Sequence, residues 1–296
     1  MGSTQFGNFQ NFCRDSTLPI CNILITRDNP NQPPGQAYRY ENACVLRGIS
    51  IGNNRYLANL GSILIDGLAI LTTFFLLWRS QRKAAAVGRR EMQLFLLGFL
   101  VVSICEIFTV GGFPLNDNIR RGFTAAHIAA IAATFWILLM NGVVGYQLID
   151  DGTVLSVGLI VLSAAAIFIG TGYIALDTAF SWTGYFDNSY DSDHRNIALY
   201  VLYQLLPLVC VFVYFILEAI LVVRVLGERR PMLWLVASAI LFAIAQIFNY
   251  VISVHICKPT NGAIDGCFFQ SLFNLLSVIM VWIFWSSITE DDWPTP

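Results

Sequence analysis

The stretch TVLSVGLIVLSAAAIFIGTGYIAL, residues 153–176, contains no charged residue. The hydrocarbon core of a membrane is about 30 Å thick, and a helix of roughly 20 apolar residues crosses it. Backbone polar groups find no partner in lipid, so such a stretch is predicted to be a helix and not an open strand. Residues 153–176 therefore predict a transmembrane segment.

The composition agrees with a membrane environment. Of 296 residues, 56% are hydrophobic and 12% are charged, whereas soluble domains carry about 25% charged residues. The formal net charge is -2, and no basic tract is present. The composition therefore predicts that the protein contacts the lipid bilayer and does not bind nucleic acid.

Six further stretches have the length of a span. The seven are 57–78, 93–112, 122–146, 153–176, 197–223, 232–255 and 264–287. Glu106 and the run 111–114 make the end of the second irregular. The predicted fold is an all-α membrane protein, a bundle of seven transmembrane helices (57–287) with a polar N-terminal arm (1–56) and a short acidic tail (288–296).

Basic residues predict the orientation of the bundle. The connections after the first and fifth spans carry eight Lys and Arg residues, and the alternate connections carry four. Cytosolic connections carry the excess of basic residues, so the arm is predicted to be lumenal and the tail cytosolic. The five arginines of the arm oppose this assignment, although a long translocated segment weighs less.

The cysteines support the same orientation. Two of the seven fall inside spans, and five fall on the side assigned to the lumen: Cys13, Cys21, Cys44, Cys257 and Cys267. Disulfides persist in an oxidising lumen and not in the cytosol. Five is an odd number, so at least one stays free or pairs with another chain. The residues themselves do not fix the pairing.

Three carboxylates lie inside spans: Asp66, Glu106 and Glu218. Intramembrane acids are functional candidates by default, and here they suggest a proton or ion path in a seven-span receptor or transporter. The structural interpretation is hydrogen bonding between helices. If the three carboxylates lined one aqueous cavity, the transporter would be favoured.

Metal and cofactor chemistry finds little support. Retinal would need a lysine inside a span, and Lys83 and Lys258 are both in connections. A membrane zinc hydrolase needs several His and Asp ligands on facing helices, and the three histidines, His127, His194 and His255, are far apart in sequence. We therefore predict no catalytic residue, no cofactor and no metal site.

Two adjacent acids, Asp150 and Asp151, stand immediately before the stretch 153–176. Three interpretations are open. As a catalytic pair they would belong to an enzyme. As carboxylates at a helix N-terminus they, with Thr153, would cap free backbone N–H groups and be favoured by the helix dipole. Because the turn lacks Lys and Arg, the acids would also suit a basic surface of a partner.

Several segments together resemble the fungal chitin synthase export chaperones. They are STLPICNI (16–23), AVGRREMQLF (86–95), GYQLIDDGT (145–153), QIFNYVISVHIC (246–257), IDGCFFQSLFNLLSVIMVWIFW (264–285) and ITEDDW (288–293). The resemblance implies a multi-span protein of the endoplasmic reticulum membrane that is not itself a glycosyltransferase. It implies a chitin synthase catalytic subunit as partner, whose export to the surface supports synthesis of cell wall chitin.

The resemblance also bears on the cysteines. It implies that Cys13, Cys21, Cys44 and Cys257 pair among themselves, because Cys267 occupies a variable position. Our hypothesis is one bridge from Cys44 to Cys257 and a short one from Cys13 to Cys21. The arm is rich in Pro, Gly and Asn, so we expect it to have little core of its own and to depend on such bridges.

Overall fold

The seven apolar stretches form seven long helices in the computed structural model, which describes residues 6–24, 46–52, 55–57, 59–83, 85–113, 116–186, 195–227 and 229–289. A short helix, α1, precedes them. The bounds are α1 Gln10–Asp15, α2 Leu60–Arg82, α3 Arg89–Thr109, α4 Asp117–Val144, α5 Val154–Phe180, α6 Ile197–Leu226, α7 Arg230–Cys257 and α8 Gly266–Ser287. The predicted seven-helix membrane bundle is confirmed.

Local signals explain where several helices begin and end. The Asn59 side chain accepts a hydrogen bond from the backbone N–H of Ser62 and so caps α2. Gly88, with φ of 67°, precedes α3, and Gly227, with φ of 66°, follows α6. A positive φ costs glycine little, so both chain reversals occur at residues that tolerate them.

Helix α4 lies at the centre of the bundle. It packs against α3, α5 and α6, while α8 packs against α7 and α2. Large apolar side chains cover the outer surfaces of the other helices; Leu71 is 68% exposed, Leu162 70% and Leu233 71%. An apolar exterior over the length of the helices is the surface that lipid requires.

The helices alternate in direction, so their ends form two faces. We call the side that carries residues 6–24 the arm face, and the side that carries the α4–α5 connection, residues 145–153, the turn face. The N-terminus of α4 and the C-terminus of α5 lie at the arm face, beside the arm. The connections 83–88 and 227–229, which are flanked by basic residues such as Arg82, Arg89 and Arg230, lie by contrast at the turn face.

The arm departs from expectation, because its residues 6–24 share a core with the bundle. Phe9 and Ile20 are fully buried, and they pack with Ile128 of α4, Ala175 of α5 and Leu199 of α6. This packing was not predicted, and it means that apolar side chains of the bundle hold the segment in addition to its disulfide.

A two-stranded antiparallel hairpin was also not predicted. Strand β1, Ile49–Gly52, pairs with β2, Arg55–Leu57, so that Ile49 lies opposite Leu57. The backbone N–H of Arg47 donates to the carbonyl of Gly262 at 3.0 Å. This bond joins the approach to the hairpin with the connection between α7 and α8.

Candidate functional site

The turn before α5 separates the roles of its two acids. Asp150 is exposed. The Asp151 carboxylate accepts a hydrogen bond from the backbone N–H of Gly88 at 2.8 Å. The cap of α5 itself is Thr153, whose hydroxyl oxygen accepts from the N–H of Ser156 at 3.2 Å. Asp151 thus holds the N-terminus of a neighbouring helix, α3, and Asp150 is left facing outward.

Glu91 completes this turn-face site and was not singled out from the sequence. The residue is fully buried in the first turn of α3. Its Oε1 accepts from the backbone N–H of Gly152 and from the hydroxyl of Ser156, each at 2.8 Å. The Asn141 amide of α4 donates to the Glu91 carbonyl oxygen at 3.1 Å. One residue therefore fastens α3, α4, α5 and the turn together.

Asp66 and Glu106 come together at the opposite side of the bundle. The Ser62 hydroxyl donates to Asp66 at 3.3 Å, and the Ser271 hydroxyl donates to Glu106 at 3.1 Å. The two serine oxygens lie 3.5 Å apart. The two carboxylates thus connect α2, α3 and α8 through a chain of hydroxyl groups. This is hydrogen bonding between helices, the structural alternative to an ion path.

Glu218 lies apart from that pair. It is on α6, four residues after the fully buried Tyr214, and lines a turn-face cavity. Glu106 lines a different, central cavity, and Asp66 lines neither. The shared aqueous cavity that would favour a transporter is therefore not formed by these three residues.

The central cavity, of about 280 Å³, lies between α3, α4, α6, α7 and α8. Its polar groups include Tyr203, Gln204 and Tyr250, and the Tyr250 hydroxyl donates to Gln204 Oε1 at 2.8 Å. These residues occur in two π-helical turns, Tyr200–Leu205 and Phe248–Ile252. Sites for drug-sized ligands span about 300–1,000 Å³, so the cavity is slightly smaller than such sites.

Two further buried acids anchor the arm face. Asp177, near the end of α5, accepts from the N–H and hydroxyl of Thr183 at 2.6 and 2.9 Å. Asp265, just before α8, accepts from the Asn59 amide at 2.8 Å. Burial raises the pKa of the Asp265 carboxyl, and the side chains of Thr17 and Asn59 oppose that shift.

The cysteines divide into bonded and free. A disulfide joins Cys13 and Cys21, whose Cα atoms are 5.6 Å apart. Cys257 is also disulfide-bonded. Cys44, its hypothesised partner, lies outside the described residues, so that bridge stays a prediction. The free thiols of the described part are Cys105, Cys210 and Cys267.

Two of the three histidines lie within the described residues. His127 is buried in α4, and its Nδ1 lies 2.9 Å from the Thr109 hydroxyl. His255 lies in the last turn of α7, and His194 lies outside the described residues. Across the described ranges, no three His, Cys, Asp or Glu side chains are grouped so that they could hold a metal ion.

Comparison with known proteins identifies consistent relatives. A family model described as "Chitin synthase export chaperone" matches residues 5–296. Proteins of that name from Coccidioides immitis (strain RS) and Aspergillus fumigatus are 32% and 31% identical to the chain over 288 residues. These matches cover 97% of the chain and 83% and 84% of those proteins. No solved structure is significantly similar to the chain.

Proposed function

Because this chain belongs to the chitin synthase export chaperone family, we propose that it binds a chitin synthase catalytic subunit in the endoplasmic reticulum membrane and permits its export. The observation that carries this conclusion is the family match, which spans residues 5–296. The chain therefore acts as a chaperone for export, in support of cell wall chitin synthesis.

The role is non-enzymatic. Two of the buried acids hold backbone and hydroxyl groups: Glu91 holds Gly152 and Ser156, and Asp177 holds Thr183. A catalytic carboxylate needs to face a space that substrate enters. Acids that bind the ends of helices have a structural role. This supports a protein that recognises another protein and does not catalyse a reaction.

The arm is lumenal and the C-terminus is cytosolic. The Cys13–Cys21 disulfide on the arm face supports this assignment, because the lumen is oxidising. The basic connections at the opposite face support it independently, because cytosolic connections carry the excess of Lys and Arg. The turn at residues 145–153 then faces the cytosol.

Asp150 contacts the client. Its side chain is exposed beside Leu148 and Ile149, which are 78% and 41% exposed. Asp151 bonds Gly88 and keeps the turn in place. The turn thus offers an acid and two apolar side chains on a fixed backbone, which suits a basic and partly apolar segment of the client.

The family function is tested in a fungal strain that lacks this gene and expresses a fluorescent chitin synthase. The synthase should remain in the endoplasmic reticulum, with less chitin at the surface, and the wild-type gene should restore both. Normal surface delivery of every chitin synthase without the gene would refute the proposal. Direct binding is tested by purification in mild detergent, where the synthase should accompany the chaperone.

The contact at Asp150 is tested by Asp150→Asn in the same strain. We expect a normally folded protein that retains less synthase during purification, since an exposed side chain contributes little to stability. Lys258→Gln is the matched control, because it removes an exposed charge at the opposite face. Equal recovery of synthase with Asp150→Asn and with wild type would exclude the acid as a contact.

A further inference from the structure

A cavity of about 220 Å³ lies between the turn-face ends of α3, α4, α6 and α8. Residues of the helix ends and of the segments that follow them form its rim, among them Gly88, Gln147, Val225 and Thr289. Val225 is 63% exposed. The cavity is therefore accessible from the turn face.

A single carboxylate lies in the wall of this cavity. Glu218 is only 6% exposed, and its Oε2 has no hydrogen-bond partner within the described ranges. The cavity lining includes neither lysine nor arginine. Burying a carboxylate costs free energy unless the carboxylate is paired. A cation that entered the cavity would pair with Glu218 and remove that cost.

Aromatic rings form much of the remaining wall. Tyr214 and Phe284 are each 1% exposed and Trp285 is 6% exposed, and all three line the cavity beside Glu218. The faces of aromatic rings attract ammonium and guanidinium groups, most strongly where water is excluded. A carboxylate among such rings is a site for an organic cation.

The size of the cavity matches a cationic side chain. Since a water molecule occupies about 30 Å³ of liquid, the cavity has room for about seven water-sized groups. An arginine side chain has seven non-hydrogen atoms. Of the chain's own cations nearby, Arg82 lies 3.9 Å from the Trp78 ring centroid and Lys83 donates to the Ser286 carbonyl, so neither fills the cavity.

We propose that the turn-face cavity binds the guanidinium or ammonium group of an arginine or lysine at the cytosolic end of a client membrane segment. This inference rests on the proposed function and on the cytosolic assignment of the turn face. Membrane proteins concentrate Lys and Arg at the cytosolic ends of their spans, so a client brings such a group to the correct depth. Glu218 pairs with it, and the rings of Tyr214, Phe284 and Trp285 enclose its stem.

The test uses the full-length protein in micelles of dodecyl maltoside, a detergent whose headgroup carries no charge. The probes are two labelled membrane-spanning peptides of leucine and alanine, one ending in a single arginine and the other in glutamine at the same position. Energy transfer reports association. We expect the arginine peptide to bind the wild-type protein at least about tenfold more tightly, and Glu218→Gln, which keeps the side-chain shape, to abolish that preference.

A second pair of variants keeps the test independent of Glu218. Val225→Arg should supply a guanidinium from the rim and reduce binding of the arginine peptide, whereas Val223→Arg, at an exposed residue of α6 that does not line the cavity, should leave it unchanged. Thermal unfolding checks that each variant is folded. Equal binding of the two peptides by the wild-type protein would overturn the inference, as would an unchanged preference in folded Glu218→Gln.

Two further outcomes separate the inference from its alternatives. Native mass spectrometry in mixed lipids would overturn it if an amine lipid bound to the wild-type protein but not to Glu218→Gln, because the occupant would then be a headgroup. The export assay in the deletion strain is independent of the peptides. Normal export without the gene would refute the proposed function, whereas equal peptide binding refutes only the cavity's role.

Discussion

Glu91→Ala should destabilise the protein by about 3 kcal/mol. The fully buried carboxylate accepts two hydrogen bonds of 2.8 Å, from the Gly152 N–H and the Ser156 hydroxyl. A buried donor that is left without an acceptor costs about 1–3 kcal/mol, so the loss of both contacts costs about 2–6 kcal/mol. The lower end applies because the Ser156 hydroxyl can turn to a carbonyl of its own helix, whereas the Gly152 N–H has no such alternative.

The buried thiols of Cys105, Cys210 and Cys267 provide the assay. A dye that fluoresces on reaction with thiols follows unfolding in detergent, because these side chains are protected until the bundle opens. At about 2 °C per kcal/mol for a chain of this length, Glu91→Ala should melt about 6 °C below wild type. Glu91→Gln keeps one neutral acceptor, so its melting temperature should lie between those of Glu91→Ala and wild type.

Asp150→Ala is the matched control for Glu91→Ala. It removes a carboxylate at the same face, but one that is exposed, and we expect its melting temperature to lie within about 1 °C of wild type. If Glu91→Ala also melted within that interval, the two hydrogen bonds would not contribute to stability. The role given to Glu91 in fastening the turn would then be wrong.

Two other predictions concern covalent and steric features. Replacing Cys13 and Cys21 with serine opens a loop with a sequence separation of 8; loop entropy gives a loss of about 2.5 kcal/mol, measured as lower thermal stability, and unchanged melting would contradict it. Gly266→Ala should fold poorly, because its Cβ would lie 2.7 Å from the Cβ of Ser253 and overpacking costs about 1–3 kcal/mol or more. Gly158→Ala is the control, since its Cβ would meet nothing within 4 Å, and equal yields of the two variants would refute the steric argument.

The spans could be predicted because the membrane imposes a local rule on the sequence. About 20 apolar residues are required wherever a helix crosses lipid, and neighbouring helices do not change that number. The ends of the helices do not follow from this rule alone. The first span was predicted to end at residue 78, whereas α2 continues to Arg82, because long basic side chains reach out of the apolar layer while their backbone stays helical.

The packing of the arm could not be predicted from composition, because its partners are distant in sequence. Phe9 and Ile20 are buried by α4, α5 and α6, and the Asn22 amide lies 3.3 Å from the Thr124 hydroxyl. A signal was present: phenylalanines recur at positions 6, 9 and 12. Such spacing predicts an apolar stripe, but it does not say which surface the stripe meets. The hairpin strands, with four and three residues, are too short for alternation to identify.

The turn-face site shows most directly what one sequence can and cannot specify. Adjacent acids before an apolar stretch predict a helix cap, and a cap is what the turn contains, but Thr153 provides it and Asp151 serves α3 instead. A carboxylate finds whichever free N–H groups the tertiary structure brings near, and these need not belong to the following helix. Glu91 was overlooked for the related reason that an acid at the edge of a span looks like an interfacial residue until the neighbouring turn is seen to bury it. Asp150 then follows as the candidate contact, because its neighbours satisfy the internal donors and leave its own carboxylate exposed.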